Sequence, residues 1–241
     1  MSERVVLVTG STSGIGEATA LRFAASGDMV VINSRSSVEA GERLAAATPN
    51  SMYVQGDVAK SDDCARLIAA VLARYGRLDV LINNAGTTKV IAHADLKAAS
   101  LDVWREIFEV NVFGTWSLCV EAMDSLRASH GAIVNVSSLA GVRPTGSSIP
   151  YAASKAAVNH MTALLAKVVG PDVRVNAVAP GLIDTPWTQD WDTVRGFVNA
   201  VAPLKRSGKP EDVAQVIEAL ASSAYVTGQV VVIDGGLGLA V

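Results

Sequence analysis

A single α/β domain wound around a parallel sheet is the fold class predicted here, and three observations predict it. Seven short, mostly β-branched apolar runs recur along the 241 residues: Val5 to Val8, Met29 to Ile32, Met52 to Val54, Val80 to Ile82, Ile133 to Val136, Val173 to Val178 and Val230 to Ile233. Ala- and Leu-rich stretches long enough for helices separate them, among them Glu17 to Ser26, Asp62 to Tyr75, Leu101 to Ser129, Ala152 to Val169 and Glu211 to Ala221. Such alternation builds right-handed βαβ units and hence a parallel sheet. The runs are continuously apolar rather than alternating, as strands covered by helices on both faces must be. Half of all residues are apolar and 18% are charged, which excludes disorder and permits a sizeable core.

The first run leads into Thr9-Gly10-Ser11-Thr12-Ser13-Gly14-Ile15-Gly16 and then directly into a helix. A glycine turn between the first strand and helix of a βαβ unit brings backbone N–H groups close to a pyrophosphate, whose charge the helix N-terminus favours. The spacing is G-x-x-x-G-x-G. The second run ends at Asn33-Ser34-Arg35-Ser36, without the acid that would hold the ribose 2′-hydroxyl of NAD. Arg35 suits a 2′-phosphate instead, with Ser34 or Ser36 as a further donor, so NADP(H) is expected over NAD(H). Asp57-Val58 follows the third run and Asn84-Ala85-Gly86 the fourth, both on the carboxyl edge where doubly wound sheets bind ligands. Asp57 is suited to an adenine amino group, and the Asn84 to Gly86 backbone to the adenosine ribose. All of these residues also read as ordinary turn chemistry.

The fifth run ends at Ser137-Ser138, and Tyr151 and Lys155 open the next helix four residues apart, on one face. A neighbouring ammonium, with the charge of an oxidised nicotinamide, is expected to pull the tyrosine down from its ordinary value of about 10. Tyr151 then exchanges a proton with a carbonyl or alcohol oxygen, and Ser138 steadies the charge on that oxygen. Asp184 to Pro210 is the least regular stretch, with Trp187, Trp191 and Phe197; a substrate flap is expected over residues 184–210. The substrate wall is expected from Lys89 to Leu96, Leu139 to Pro150 and this flap, with Arg143 a candidate either for an acidic substrate group or, no less, for a surface role.

Other classes are excluded or unsupported. Twenty Lys plus Arg against 23 Asp plus Glu give −3 with no basic block, so no nucleic-acid partner is expected. His93, His130 and His160 share no metal spacing and no Ser occupies a G-x-S-x-G elbow. Cys64 and Cys119 stand far apart, the N-terminus lacks a signal-peptide core, and no run of 18 apolar residues occurs. A cytoplasmic protein without metal or membrane association is expected.

Taken together, these signatures resemble the short-chain dehydrogenase/reductases over essentially the whole chain. Thr9 to Gly16 resembles that family's TGxxxGIG turn, Asn83 to Gly86 its NNAG, and Tyr151 to Lys155 its YxxxK, with Ser138 at the family's spacing. Asn111 resembles the asparagine that holds a water linking the lysine to a proton relay. Pro180-Gly181-Leu182-Ile183-Asp184-Thr185 resembles the segment contacting the nicotinamide carboxamide through Ile183 and Thr185. The resemblance implies a seven-stranded Rossmann-like sheet, hydride transfer at nicotinamide C4 between NADP(H) and a ketone or secondary alcohol, and a Lys155 that also binds the nicotinamide ribose. Lys209 to Ala214 and Tyr225 to Gly236 look most like 3-oxoacyl-acyl-carrier-protein reductases and their relatives, usually homotetramers. Ser13 stands where those reductases often carry Arg, leaving Arg35 to carry the coenzyme reading. An NAD-dependent alcohol or sugar dehydrogenase and a non-catalytic NADP(H) sensor are the alternatives.

Overall fold

The computed structural model describes residues 4–240. Seven strands, β1 (Val5–Val8), β2 (Met29–Ser34), β3 (Ser51–Gln55), β4 (Val80–Asn83), β5 (Ala132–Val136), β6 (Arg174–Pro180) and β7 (Val230–Ile233), form one sheet. Its order is β3-β2-β1-β4-β5-β6-β7, parallel throughout. The chain winds outward from β1 in one direction to β3 and in the other from β4 to β7. The strand order therefore reverses between β1 and β4, and a crevice opens at their carboxyl ends.

Among the described residues there are eight α-helices, α1 (Gly14–Ala25), α2 (Val38–Ala47), α3 (Ser61–Tyr75), α4 (Leu101–Phe108), α5 (Thr115–Ala128), α6 (Ile149–Val169), α7 (Asp192–Val201) and α8 (Pro210–Ser222); they flank the sheet on its two faces except α7, which lies beyond its carboxyl edge. On one face Leu67 and Val71 of α3, Leu118 and Leu126 of α5 and Leu165 of α6 pack on Leu7, Leu81 and Ile133. On the other, Phe23 of α1 and Ile217 of α8 pack on Val6, Val8, Ile82 and Val134. Fully burying one such side chain contributes about 1.5–3 kcal/mol, so these two layers carry the fold. A third, small cluster joins Val198 and Ala202 to Leu139 and Leu237 beyond the carboxyl edge.

Two features differ from the sequence expectation. The stretch from Leu101 to Ser129 is not one continuous α-helix: residues 109–114 are wound as a π-helix between α4 and α5. The irregular stretch after β6 contains α7, whose Val194, Phe197, Val198 and Val201 follow the i, i+3, i+4, i+7 spacing of an amphipathic helix.

Candidate active site

The crevice is a cleft of about 490 Å³ over the carboxyl ends of β1, β4, β5 and β6. At one end lies the glycine turn. Gly10 and Gly14 have φ of 60° and 57°, a region open to glycine at little cost. A Cβ on Gly16 would overlap the Gly10 carbonyl and the Asn84 amide. Ser13 begins α1 without a side-chain capping bond, leaving the first-turn N–H groups available to an anion in the cleft.

Side chains behind the cleft hold this turn. Thr9 Oγ1 accepts from the N–H of Asn84 at 3.1 Å and of Ala85 at 3.0 Å. Asn84 Nδ2 donates to the carbonyls of Thr9 at 2.8 Å and Gly10 at 3.0 Å. Asn33 at the end of β2 donates to the carbonyls of Val54 and Gly56 and accepts from the Gly10 N–H at 3.4 Å. Ser11 is buried, donating to the Val8 carbonyl at 2.7 Å and accepting from Asn33 N–H at 3.0 Å. Of the expected dinucleotide residues, Ser11 and Thr12 do not line the cleft; Gly10, Ser13 to Gly16, Ser34, Arg35, Asp57, Val58, Asn84 to Gly86, Pro180, Gly181, Ile183 and Thr185 do. Ser34 is shared with Tyr53, hydroxyl to hydroxyl at 2.9 Å. Arg35 is exposed, and among the described residues its guanidinium has no ion-pair or hydrogen-bond partner. A narrow glycine passage, an uncapped helix start and a free cation at the far end together fit a dinucleotide carrying a 2′-phosphate.

The other end of the cleft gathers Ser138, Tyr151 and Lys155. Ser138 follows β5, and its Oγ accepts from the Ala140 N–H at 3.2 Å. Ser148 caps α6 by accepting from the Tyr151 N–H, and Pro150 sits in the first turn, so Tyr151 is set by the helix start. Lys155 is 4% exposed; its Nζ donates to the Val136 carbonyl at 2.8 Å and stands 5.8 Å from the centre of the Tyr151 ring. Burial brings the ammonium down to about 8. Burial also pushes the Tyr151 phenol above its ordinary value, with the Ser138 hydroxyl opposing. The lowering expected of this phenol is tied to the charge of an oxidised nicotinamide as well as to the Lys155 ammonium, which here is anchored on the Val136 carbonyl.

Asn111 lies in the π-helical segment, behind the cleft lining. Its Nδ2 donates to the Thr87 carbonyl and Ser154 Oγ, both at 3.0 Å, and its Oδ1 accepts from Thr87 N–H at 2.8 Å. A Cβ on Gly86 would meet Asn111 Oδ1 at 3.3 Å and Lys155 Nζ at 3.5 Å, so both groups lie close to this glycine.

The wall beyond Tyr151 departs from expectation. Residues Lys89 to Leu96 do not line it; Thr87 and Thr88 do, together with Leu139, Thr145 to Ser147, Trp187, Trp191 and Phe197. Arg143 turns away, donating to the carbonyls of Gly238 at 3.1 Å and Val142 at 3.3 Å. Thr9 and Asn33 stand in the quoted motifs without an assigned role, Ser147 falls within the expected Leu139 to Pro150 wall, and Thr88 and Leu237 escaped the sequence reading. A polar residue ending an otherwise apolar run was the available signal for Asn33; Leu237 offered none.

A family model described as enoyl-(acyl carrier protein) reductase matches residues 10–238. A protein named as ketoacyl reductase 2 of the granaticin polyketide synthase of Streptomyces violaceoruber is 55% identical over 236 residues, covering 96% of this chain and 95% of that one. The 3-oxoacyl-acyl-carrier-protein reductase of Thermotoga maritima is 41% identical, with 97% of each chain covered. Among solved structures, ElxO with NADP bound superposes with a TM-score of 0.89 at 30% identity, covering 97% of this chain and 98% of that one.

Proposed function

The chain belongs to the short-chain dehydrogenase/reductase family of oxidoreductases acting on CH–OH and C=O groups, and from that premise we propose that it reduces a ketone to a secondary alcohol with NADPH. The observation that carries the reading is one cleft with an uncapped glycine turn at one end and Ser138, Tyr151 and Lys155 at the other. When bound, the reduced dinucleotide supplies the hydride, two electrons and one hydrogen, to the carbonyl carbon. Tyr151 releases its phenolic proton to the carbonyl oxygen, and Ser138 donates a hydrogen bond to that oxygen as negative charge builds on it. Lys155 steadies the tyrosinate left behind and binds the nicotinamide ribose, and Asn111 holds the water through which the proton is restored.

Arg35 takes the 2′-phosphate, giving NADP(H) over NAD(H); the unpaired guanidinium and the missing acid after β2 support this. The remaining glycine-turn, Asp57-Val58, Asn84-Ala85-Gly86 and Pro180 to Thr185 positions hold the rest of the dinucleotide. Residues 184–210 act as the substrate flap. Their packing rests largely on the small cluster around Val198, and segments with few buried apolar contacts open at low free energy. A homotetramer is supported by the apolar side chains that α5 and α6 expose, Trp116, Val120, Leu164 and Val168; light scattering tests it with an expected mass four times the chain's 25.0 kDa. Two buried free cysteines, Cys64 and Cys119, support a reducing, cytoplasmic setting. No helix among the described residues is long and apolar enough to cross a membrane.

The test is an NADPH-oxidation screen over ketones, acetoacetyl thioesters and sugars. Turnover of a ketone or ketoacyl thioester is expected. Tight NADPH binding with no turnover across the panel would replace this reading with a sensing role, and turnover confined to sugars with NAD would replace it with a sugar dehydrogenase.

A further inference from the structure

We propose that the substrate half of the cleft selects a flat, uncharged, ring-bearing ketone, and that Trp187 is the residue that makes the selection; this rests on the ketone-reductase reading above. Charge is the first ground. The cleft is lined by three charged side chains, Arg35 and Asp57 at the adenosine end and Lys155 beside Tyr151. Beyond the tyrosine the lining has none. The nearby cations are spent elsewhere: Arg143 on the Gly238 carbonyl, Lys89 on Glu106, Arg195 on Asp184 and Asp192. A phosphate or carboxylate drawn into this half would lose its water with nothing to replace it.

Shape and surface are the second ground. The apolar part of the wall is Leu139, Trp187, Trp191, Phe197, Val198 and Leu237, beside Thr87, Thr88 and Thr145 to Ser147. Trp187 and Phe197 remain 47% and 51% exposed although they face a concave site, apolar surface that a ligand would remove from water. Trp187 meets the Tyr151 ring edge to face, centres 6.4 Å apart and planes at 73°. A substrate ring beside a carbonyl at Tyr151 therefore lies within stacking range of the indole.

Rigidity is the third. Trp187 occupies a one-turn 3-10 helix, Pro186–Thr188, closed by reciprocal bonds between Thr185 and Thr188. Thr188 Oγ1 donates to the Ile183 carbonyl at 2.6 Å, and Arg195 holds the Thr188 carbonyl at 3.1 Å. The turn is braced internally, so within the flap the indole keeps a set orientation and little side-chain entropy is lost on stacking. On the opposite side, the Thr88 and Ser147 hydroxyls, 2.6 Å apart, supply neutral hydrogen-bonding capacity for a ring oxygen.

The experiment compares kcat/KM for 1-tetralone and for the N-acetylcysteamine thioester of acetoacetate, each with NADPH, in wild type, Trp187→Phe and Trp187→Ala. Wild type is expected to favour the bicyclic ketone. Trp187→Ala should cut the ring-to-linear preference by roughly tenfold, mainly through KM, as expected for loss of one aromatic contact. Trp187→Phe should restore most of it, which a packing role in the flap would not produce. NADPH affinity, read by cofactor fluorescence, checks that the variants retain the site. Equal losses on both substrates, or a wild type that prefers the linear thioester, would overturn this inference while leaving the reductase reading intact. No NADPH oxidation with either overturns this inference and, if it extends across the broader panel, that reading too.

Discussion

The two halves of the cleft are built by different means. The dinucleotide half is a set of turns at strand ends, stitched through backbone atoms by Thr9, Asn33 and Asn84, with glycines where a Cβ would collide. The substrate half is a wall of side chains drawn from residues 139 to 237, supported by a small apolar cluster and a few ion pairs. The first recognises a ligand by backbone geometry, which admits few sequences. The second recognises by shape and apolar surface, which many sequences satisfy and which tolerates substitution.

The largest effect is expected at the seam between the halves. Tyr151→Phe removes one proton and should lower kcat by about 10²- to 10⁴-fold, while the equilibrium affinity for NADPH stays close to wild type. A variant retaining near wild-type turnover would sink the acid role.

Next is Gly16→Ala. Its Cβ has backbone on one side and the Asn84 amide on the other, so strain of about 1.4 kcal/mol or more should weaken NADPH binding at least about tenfold. Isothermal titration reads this directly. Unchanged affinity would show the glycine turn to be as tolerant as the aromatic wall, and the contrast would collapse.

Arg35→Ala should act on one coenzyme only. Losing charge-assisted hydrogen bonds at an exposed site is expected to raise KM for NADPH about tenfold and leave KM for NADH little changed. Equal effects on both would remove Arg35 from the 2′-phosphate site.

The smallest effect is a pH dependence. With Lys155 brought down to about 8, kcat/KM for reduction should be level below that pH and fall a few-fold above it as the free enzyme loses the ammonium. The folded-state value lies below the unfolded one, so between about 8 and the ordinary lysine range the unfolded chain binds the extra proton, and stability contributed by this group rises with pH. Keeping a buried ammonium at neutral pH is accordingly a cost of up to about 3 kcal/mol. Lys155→Met should therefore raise Tm at pH 7 while abolishing turnover, a separation of stability from activity that calorimetry and a rate assay can each check.

Reading the chain alone located the strands, because the five inner ones are buried on both faces and so must be apolar, while the edge strands β3 and β7, partly exposed, still carry β-branched or aromatic runs. It also located the glycine turn, since positive φ and close approach select glycine whatever surrounds them. The tyrosine and lysine could be paired because four residues is a helical distance. The helix-length estimate failed at residues 109–114, where Asn111 is clasped by Thr87 and Ser154; those partners come from elsewhere in the chain, so local periodicity carries no trace of the π turn. Between a substrate contact and a surface role for Arg143 the chain alone could not choose for the same reason, its partner being a carbonyl 95 residues away.

What the amino-acid order determined by itself was every feature set by local sterics and by burial in a regular element: the sheet, the dinucleotide turn and the helical face carrying Tyr151 and Lys155. Only the tertiary structure decided how deeply Lys155 is buried, the composition of the substrate wall and the charge-free character of that half. Those properties depend on which distant groups remove water from a side chain, and desolvation is a property of the packed whole.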